Sequence, residues 1–175
     1  MTALIITESC FGNTTALAEA IAQALASDDA MAVESLDVGE APSSVPEDTG
    51  LLILAAPTHD YSLPRTHTRQ RARQRGSSGA EEYGLREWIA ALPTAPDVKV
   101  VTVDTALKTG FMPSTAAKTA ARLMGRAGFA NVRRGATFYV SDYAGPLEDG
   151  EIIRARAWAT TLAAGLRALS GRRTR

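Results

Sequence analysis

The sequence predicts a single α/β domain in which helices cover both faces of an open, parallel sheet. Apolar runs of strand length alternate with amphipathic helical patterns along the 175-residue chain. This alternation is typical of parallel strands joined by right-handed helical crossovers. Two of the runs, 51–54 and 98–103, are nearly continuous in apolar character, as expected of strands that are buried on both faces. The length suffices for one well-buried core and is short for two.

Five segments are predicted as strands. Each is a short run dominated by apolar residues and bounded by polar or turn-forming residues. In chain order the strands span 3–7, 31–36, 51–56, 98–104 and 132–140. The segment 42–50, rich in proline, serine and aspartate, is expected to be a surface loop.

Four segments are predicted as helices, namely 14–26, about 85–91, 114–127 and about 148–170. The last has the clearest pattern, because apolar residues recur at steps of three and four along one face. These residues are Ile152, Ala155, Ala159, Leu162, Leu166 and Leu169. Gly171 is expected to end this helix, and a short basic tail follows it. Trp88 and Trp158 fall in helical patterns and are expected to anchor the core.

The segment 65–84 is predicted to be an insertion beyond the third strand, partly helical and partly mobile. It is polar and contains Gly-Ser-Ser-Gly at 76–79. Five arginines lie close together in it: Arg65, Arg69, Arg71, Arg73 and Arg75. They form either a solvated face or an anion-binding patch beside a cofactor. Such a patch would hold an acidic protein partner or the phosphate of a nicotinamide cofactor.

Composition and charge exclude several classes of protein. Net charge is zero and the isoelectric point is near 6.7, so we expect no binding to nucleic acid or to an anionic membrane. The single cysteine excludes an intrachain disulfide and a cysteine-based metal cluster. No apolar stretch is long enough for a signal peptide or a membrane span. We therefore expect a soluble, cytoplasmic protein, whose oligomeric state the sequence leaves open.

The most informative motif lies between the first strand and the first helix. Residues 7–15 read TESCFGNTT, a tight loop with several hydroxyl groups. A loop of this kind directs backbone N–H groups toward one point at the positive end of a helix, where a phosphate binds. The alternative is an ordinary strand-to-helix turn in which the hydroxyl groups only begin the helix.

Two further loops follow strands at the same edge of the predicted sheet, at 57–64 and 105–111. In open parallel sheets, ligands bind outside the carboxyl ends of the strands, where the strand order reverses. The two loops supply aromatic rings, hydroxyl groups and flexible backbone. Together with a phosphate loop, they would fit a flat aromatic cofactor that has a phosphate tail.

The motif at 9–14 resembles the phosphate loop of the flavodoxin superfamily, whose members bind FMN. The segment 51–58 is similar to the third strand of that superfamily and its following loop. The segment 142–151, followed by Trp158, is similar to the terminal segment of bacterial flavodoxin-like proteins. The resemblance covers nearly the whole chain. It implies a three-layer sandwich with a five-stranded parallel sheet in the order 2-1-3-4-5.

The resemblance also implies roles for individual residues. Hydroxyl groups of Ser9 and Thr14 would donate to the phosphate. Backbone N–H groups would come from Cys10, Phe11, Gly12 and Asn13. One face of the isoalloxazine would be lined by Pro57, Thr58, His59 and Tyr61, and its other side or edge by Asp104, Thr105, Gly110 and Phe111. No residue receives a catalytic or metal-binding role.

The implied function is electron transfer by an FMN-binding redox carrier. Many flavodoxins have threonines where Cys10 and Phe11 stand, so two hydroxyl donors are missing here. Two alternatives remain open: a small FMN-dependent NAD(P)H:quinone-type oxidoreductase, and a flavin-free interaction module on the same fold. The partner would be a redox protein for the carrier and a nicotinamide cofactor for the reductase.

Overall fold

A five-stranded parallel sheet forms the centre of the computed structural model, which describes residues 1–27, 31–95, 97–109 and 113–173. The strands are β1 (Thr2–Thr7), β2 (Ala32–Asp37), β3 (Thr49–Pro57), β4 (Lys99–Leu107) and β5 (Asn131–Val140). Their spatial order is β2-β1-β3-β4-β5, and all four pairings are parallel. The expected strand order is confirmed.

The helices are α1 (Asn13–Ala26), α2 (Thr66–Gln74), α3 (Leu85–Ala91), α4 (Ala116–Arg126) and α5 (Glu151–Arg173). Helix α2 is the helical part of the predicted insertion. The expectation that Gly171 ends the last helix is wrong, because α5 continues to Arg173. One glycine costs a helix only about 1 kcal/mol relative to alanine, which is too little to end it without a capping turn. No helix among the described residues is long and apolar enough to cross a membrane.

The core has two layers, one on each face of the sheet. Side chains of β1 alternate between them: Leu4 and Ile6 pack with α3 and α4, whereas Ala3 and Ile5 pack with α1 and α5. Such alternation follows from the two-residue period of a strand. The two tryptophans lie one in each layer. Trp88 is buried, and Trp158 is partly buried against the second layer, so their predicted role as core anchors is confirmed.

The segment between β3 and α3 is fastened to the first loop by buried polar contacts. Arg69 of α2 is ion-paired with Glu8 (Nε to Oε1, 2.8 Å) and with Glu87 of α3 (Nη2 to Oε2, 2.7 Å). Further along, the Ser77 hydroxyl donates to the Cys10 carbonyl at 2.7 Å. The interpretation of the arginine cluster as a solvated face is therefore wrong for Arg69, which is almost wholly buried. Two carboxylates compensate its charge.

The strand order reverses between β1 and β3. The connection from β1 leads outward to β2, and the chain then crosses to β3 on the other side of β1. The loops that follow β1 and β3 therefore diverge and leave a crevice at the carboxyl edge of the sheet. Open α/β folds bind their ligands in such a crevice.

Candidate functional site

Two adjoining cavities open at this crevice. The smaller, about 50 Å³, lies against the first loop. The larger, about 250 Å³, lies against α2. Five residues line both cavities: Thr58, His59, Ala106, Leu107 and Tyr143. The two cavities therefore form one continuous cleft with a narrow end and a wide end.

The narrow end lies at the N-terminus of α1. The N-cap residue, just before the helix, is Gly12, with φ of 83°, and it offers no side chain to cap the helix. Glycine suits this left-handed conformation because a Cβ would be strained there. The first turn of α1 contains no acidic residue, and the N–H groups at the start of any helix lack partners within the helix. The positive end of a 14-residue helix is thus available to an anion.

Four serine and threonine side chains line the narrow end, and one of them, Thr58, donates its hydroxyl hydrogen to Asp104. The Ser9 Oγ accepts from the Gly12 N–H at 3.1 Å, which leaves its own hydrogen free to donate. The hydroxyl groups of Thr14 and Thr105 are hydrogen-bonded to each other at 2.9 Å. Because that bond uses only one of their two hydrogens, the pair also retains a donor. Two hydroxyl hydrogens and the helix N-terminus therefore converge on the cavity.

Cys10 contributes to this loop through its backbone. Its side chain is buried, and burial, followed by the charge of Glu8, raises the pKa of the thiol to about 11. The thiol is therefore neutral at physiological pH. Its carbonyl oxygen accepts the Ser77 hydroxyl, so the outer side of the loop is held by the segment that follows α2.

Aromatic rings form the walls between the two ends of the cleft. The Tyr143 ring packs edge-on against Phe11, with ring centroids 5.7 Å apart. The same ring lies nearly parallel to the His59 ring at 6.1 Å and an interplanar angle of 28°. The guanidinium carbon of Arg75 lies 4.3 Å from the Tyr143 ring centroid. Tyr143 was not among the residues predicted to line the site, although it follows the fifth strand at the same edge of the sheet.

Tyr143 is held in place by a tight turn that contacts the start of α1. The Gly145 N–H donates to the Asp142 carbonyl at 2.9 Å, and Asn13 Nδ2 donates to the Ala144 carbonyl at 2.9 Å. Gly145 has φ of 98°, and a Cβ there would overlap the Asn13 side chain. The turn at 142–145 is therefore packed on the same helix turn that forms the narrow end.

His59 begins a four-residue turn between the two cavities. His59 and Ser62 exchange backbone hydrogen bonds of 3.0 Å, and the two central residues, Asp60 and Tyr61, have φ of 47° and 59°. Two left-handed central residues are characteristic of a type I′ turn. Tyr61 is half exposed and lines only the wide end.

Burial lowers the pKa of His59 to about 4. The negative charge of Asp60 opposes this shift, and the positive charge of Arg69 adds to it. The imidazole is thus neutral near pH 7 and presents an uncharged ring to the cleft. Its buried Nδ1 atom has no hydrogen-bond partner among the described residues.

Asp104 does not line the cleft, contrary to its predicted position beside the isoalloxazine. Its side chain is fully buried, and its Oδ2 accepts from Thr58 Oγ1 at 3.1 Å and from the Ala117 N–H at 2.8 Å. The carboxylate thus holds the first turn of α4. Side chains alternate along a strand, so Asp104 points toward α4 whereas Thr105 points into the cleft.

The structure brings most of the other predicted residues together. The narrow end is lined by Ser9, Cys10, Phe11, Asn13, Thr14, Pro57, Thr58, His59 and Thr105. Gly12 lines a separate cavity on the other side of the loop, and Tyr61 lines the wide end. Gly110 and Phe111 lie outside the described residues.

Comparison with solved structures shows a flavodoxin-like fold. Flavodoxin 2 from Bacillus cereus matches with a TM-score of 0.64 and 16% identity over 95% of this chain and 99% of that chain. A flavodoxin from the domain Archaea matches at 0.63 and 15% over the same shares. The flavodoxin of Streptococcus pneumonia TIGR4 matches at 0.60 and 20% over 94% and 99%. No protein-family model and no curated protein matches the sequence.

Proposed function

We propose that this chain binds FMN in the cleft and acts in electron transfer. The observation that carries the proposal is the uncapped N-terminus of α1, which meets the hydroxyl groups of Ser9 and Thr14 at the narrow end of an aromatic-walled cleft. A phosphate needs donors and positive potential at one point, and a planar ring needs flat, uncharged walls beside it. The similarity to solved flavodoxins adds support from the fold.

The residues of the cleft fit the two parts of FMN. The narrow end offers hydroxyl and backbone donors and, among its lining residues, no lysine or arginine, so the phosphate would be held by hydrogen bonds and the helix dipole. His59 and Tyr143 would contact the ring system. Bound flavin supplies one- or two-electron chemistry, while these residues would bind it, orient it and exclude water.

A redox carrier is the first candidate, with a redox protein as partner. The chain offers one glycine-containing phosphate loop and no second motif of that kind for a dinucleotide. An FMN-dependent reductase that uses a nicotinamide cofactor is the second candidate, and one observation favours it: Arg71 and Arg75 line the wide end of the cleft, where they would attract the phosphate of a nicotinamide cofactor. Steady-state oxidation of NADH or NADPH by the FMN-loaded protein with a quinone acceptor separates the two candidates.

Titration with FMN tests the proposal. We expect the protein to quench flavin fluorescence and to give structured, red-shifted flavin absorbance. Thr14→Val removes a hydroxyl group of the narrow end and should weaken binding by about tenfold or more, since a hydrogen bond to a charged group contributes about 1.5–3 kcal/mol. Thr15→Val is the matched control, because the neighbouring Thr15 lines the separate cavity on the other side of the loop, which Gly12 also lines.

Unchanged fluorescence and absorbance of FMN at high protein concentration would refute flavin binding and favour a flavin-free interaction module. Equal losses of affinity in Thr14→Val and Thr15→Val would place the phosphate elsewhere. Thermal unfolding of each variant checks that the fold is retained.

A further inference from the structure

We propose that the groove between α5 and the β5 edge of the sheet is a binding site for a small amphipathic anion, namely a carboxylate with an elongated apolar body. The groove has a volume of about 310 Å³, which is within the range for small-molecule sites, about 300–1,000 Å³. It shares no lining residue with the two cavities of the cleft. The inference therefore does not rest on flavin binding.

The apolar wall of the groove comes from one row of side chains on α5. Trp158, Leu162 and Leu166 follow one another at steps of four, so they lie on the same side of the helix. Trp158 and Leu162 are only partly buried, so part of this wall is exposed to solvent. The row spans eight residues, which gives it a length of about 12 Å along the helix. An elongated apolar group can lie along it.

Two glycines, one on each side, shape the groove. Gly165 lies inside α5, where glycine is one of the least favourable residues. A Cβ at this position would meet no described atom within 4 Å, so the missing side chain leaves open space. On β5, a Cβ at Gly135 would lie 2.9 Å from Cζ2 of Trp158 and 3.1 Å from Cγ1 of Val101. The Trp158 ring therefore packs directly on the backbone of β5 and bounds the groove at that end.

The positive charge of the groove comes from Arg133 of β5. Arg133 pairs in register with Val101 of β4, whose side chain packs in the layer of α1 and α5, so Arg133 projects from that face of the sheet. It is exposed, and no acidic side chain among the described residues forms an ion pair with it. The sequence of β5 has no acidic residue, and that of α5 has only Glu151, which pairs with Arg154. A carboxylate would therefore meet an uncompensated guanidinium, whose N–H donors match its two oxygens.

The next residue, Arg134, provides an internal comparison. It also borders the groove, but it pairs in register with Thr102, whose hydroxyl donates to the Ala117 carbonyl of α4 at 2.8 Å. Arg134 therefore projects toward α4, where its Nη2 donates to Thr137 Oγ1 at 3.3 Å. Of the two neighbouring arginines, only Arg133 extends from the face on which the groove lies.

The combination of wall and charge selects the class of ligand. An apolar body would remove the exposed parts of Trp158 and Leu162 from water, and its carboxylate would compensate Arg133. A compact anion would use only the arginine, and a neutral apolar molecule would use only the wall. Both should therefore bind more weakly than a molecule that has the two parts together.

Isothermal titration calorimetry with three probes tests this site on the full chain, with and without FMN. The probes are octanoate, its neutral analogue octanamide, and the shorter carboxylate butyrate. We expect octanoate to bind at least fivefold more tightly than octanamide. It should bind at least tenfold more tightly than butyrate, which has four fewer methylene groups to bury. In the flavin-free protein, octanoate should also shift tryptophan emission to shorter wavelength, because it covers Trp158, whereas Trp88 is already buried.

Four variants locate the two parts of the site. Arg133→Met should remove the preference for octanoate over octanamide, whereas Arg134→Met, the matched control, should change octanoate affinity by less than twofold. Gly165→Leu should fill the groove and weaken octanoate and octanamide at least tenfold, and it should keep the fold because leucine favours a helix more than glycine does. Ala164→Leu adds the same side chain at an exposed position outside the groove and should bind octanoate like wild type. Thermal unfolding of each variant checks that the fold is retained.

Absence of octanoate binding, or equal affinity for octanoate and octanamide, would overturn the proposal. Equal losses in Arg133→Met and Arg134→Met would overturn it too, as would wild-type affinity in a folded Gly165→Leu variant. If tryptophan emission depends on protein concentration and not on octanoate, a second copy of the chain covers the groove and the proposal is wrong. Flavin absorbance, recorded separately, shows whether FMN binds, and these outcomes have the same meaning in either case.

Discussion

Replacing Arg69 with methionine should destabilise the protein strongly, because it isolates a buried carboxylate. The side chains of Arg69 and Glu8 are only 1% and 6% exposed. Without the guanidinium, the Glu8 carboxylate retains the Leu85 N–H at 2.8 Å as its partner. Removing one partner of a buried ion pair costs about 3–5 kcal/mol. The other partner of Arg69, Glu87, is 31% exposed and can be solvated by water, so the cost comes mainly from Glu8.

The pH dependence of this loss follows from the pKa of Glu8. Burial raises that pKa, and Arg69 opposes the rise; Arg69→Met should raise it further. A carboxyl group whose pKa is higher in the folded than in the unfolded state binds its proton more tightly when folded. Its stabilising contribution is therefore present at low pH and is lost as pH rises above the unfolded value of 4.5. The Arg69→Met variant should thus be nearest to wild type at pH 5 and furthest from it at pH 8.

Urea unfolding at both pH values measures the effect. The double variant Glu8→Gln/Arg69→Met keeps an acceptor for the Leu85 N–H and removes the buried charge, so it should recover most of the lost stability. A loss of less than about 1 kcal/mol for Arg69→Met at pH 8 would refute this account. A double variant no more stable than Arg69→Met would refute it too.

Three further predictions concern single groups. Cys10, with its pKa raised from 9.0 to about 11, should react with a thiol reagent at pH 8 at least 100-fold more slowly in the folded than in the unfolded protein; similar rates would contradict its burial. The pKa of His59 is lowered from 6.5 to about 4, so the unfolded state binds its proton more readily, and the free energy of unfolding should fall by up to about 2 kcal/mol between pH 7 and pH 5 relative to a His59→Gln variant. Parallel pH profiles of the two proteins in urea unfolding would exclude this. Asp104→Ala leaves the Ala117 N–H and the Thr58 hydroxyl without their acceptor and should cost about 1–3 kcal/mol in thermal or urea unfolding; a variant as stable as wild type would show that water replaces the carboxylate.

The sequence was sufficient for the fold because its signals are local. Continuous apolar runs and helical periodicity each depend on neighbouring residues, and they located the ends of all five strands to within three residues. The strand order came from the resemblance rather than from the runs themselves. The end of α5 was misplaced because a single glycine is a weak signal for the end of a helix.

The narrow end of the cleft was predictable for the same reason, since Ser9 and Thr14 belong to one continuous motif. Tyr143 could not be assigned in this way: its contacts with Phe11 and His59 join residues far apart in sequence. Asp104 was misplaced by one step of strand alternation. Val100 lies four residues before Asp104 in the same strand, so the two side chains are on the same face of the sheet. Because Val100 packs in the layer that contains α3 and α4, Asp104 lies on the α4 side.

The arginine cluster shows why composition alone was ambiguous. From Arg69 onward, every second residue up to Arg75 is an arginine. In a helix of 3.6 residues per turn, a step of two rotates the side chain by about 200°, so successive arginines point to opposite sides. Arg69 and Arg73 therefore share one side, and Arg71 and Arg75 share the other, which faces the cleft. Of Arg69 and Arg73, it is Arg69 that is buried, because the position of α2 places it over Glu8. One run of like charges thus separates into a structural ion pair and two cations that line the wide end of the cleft.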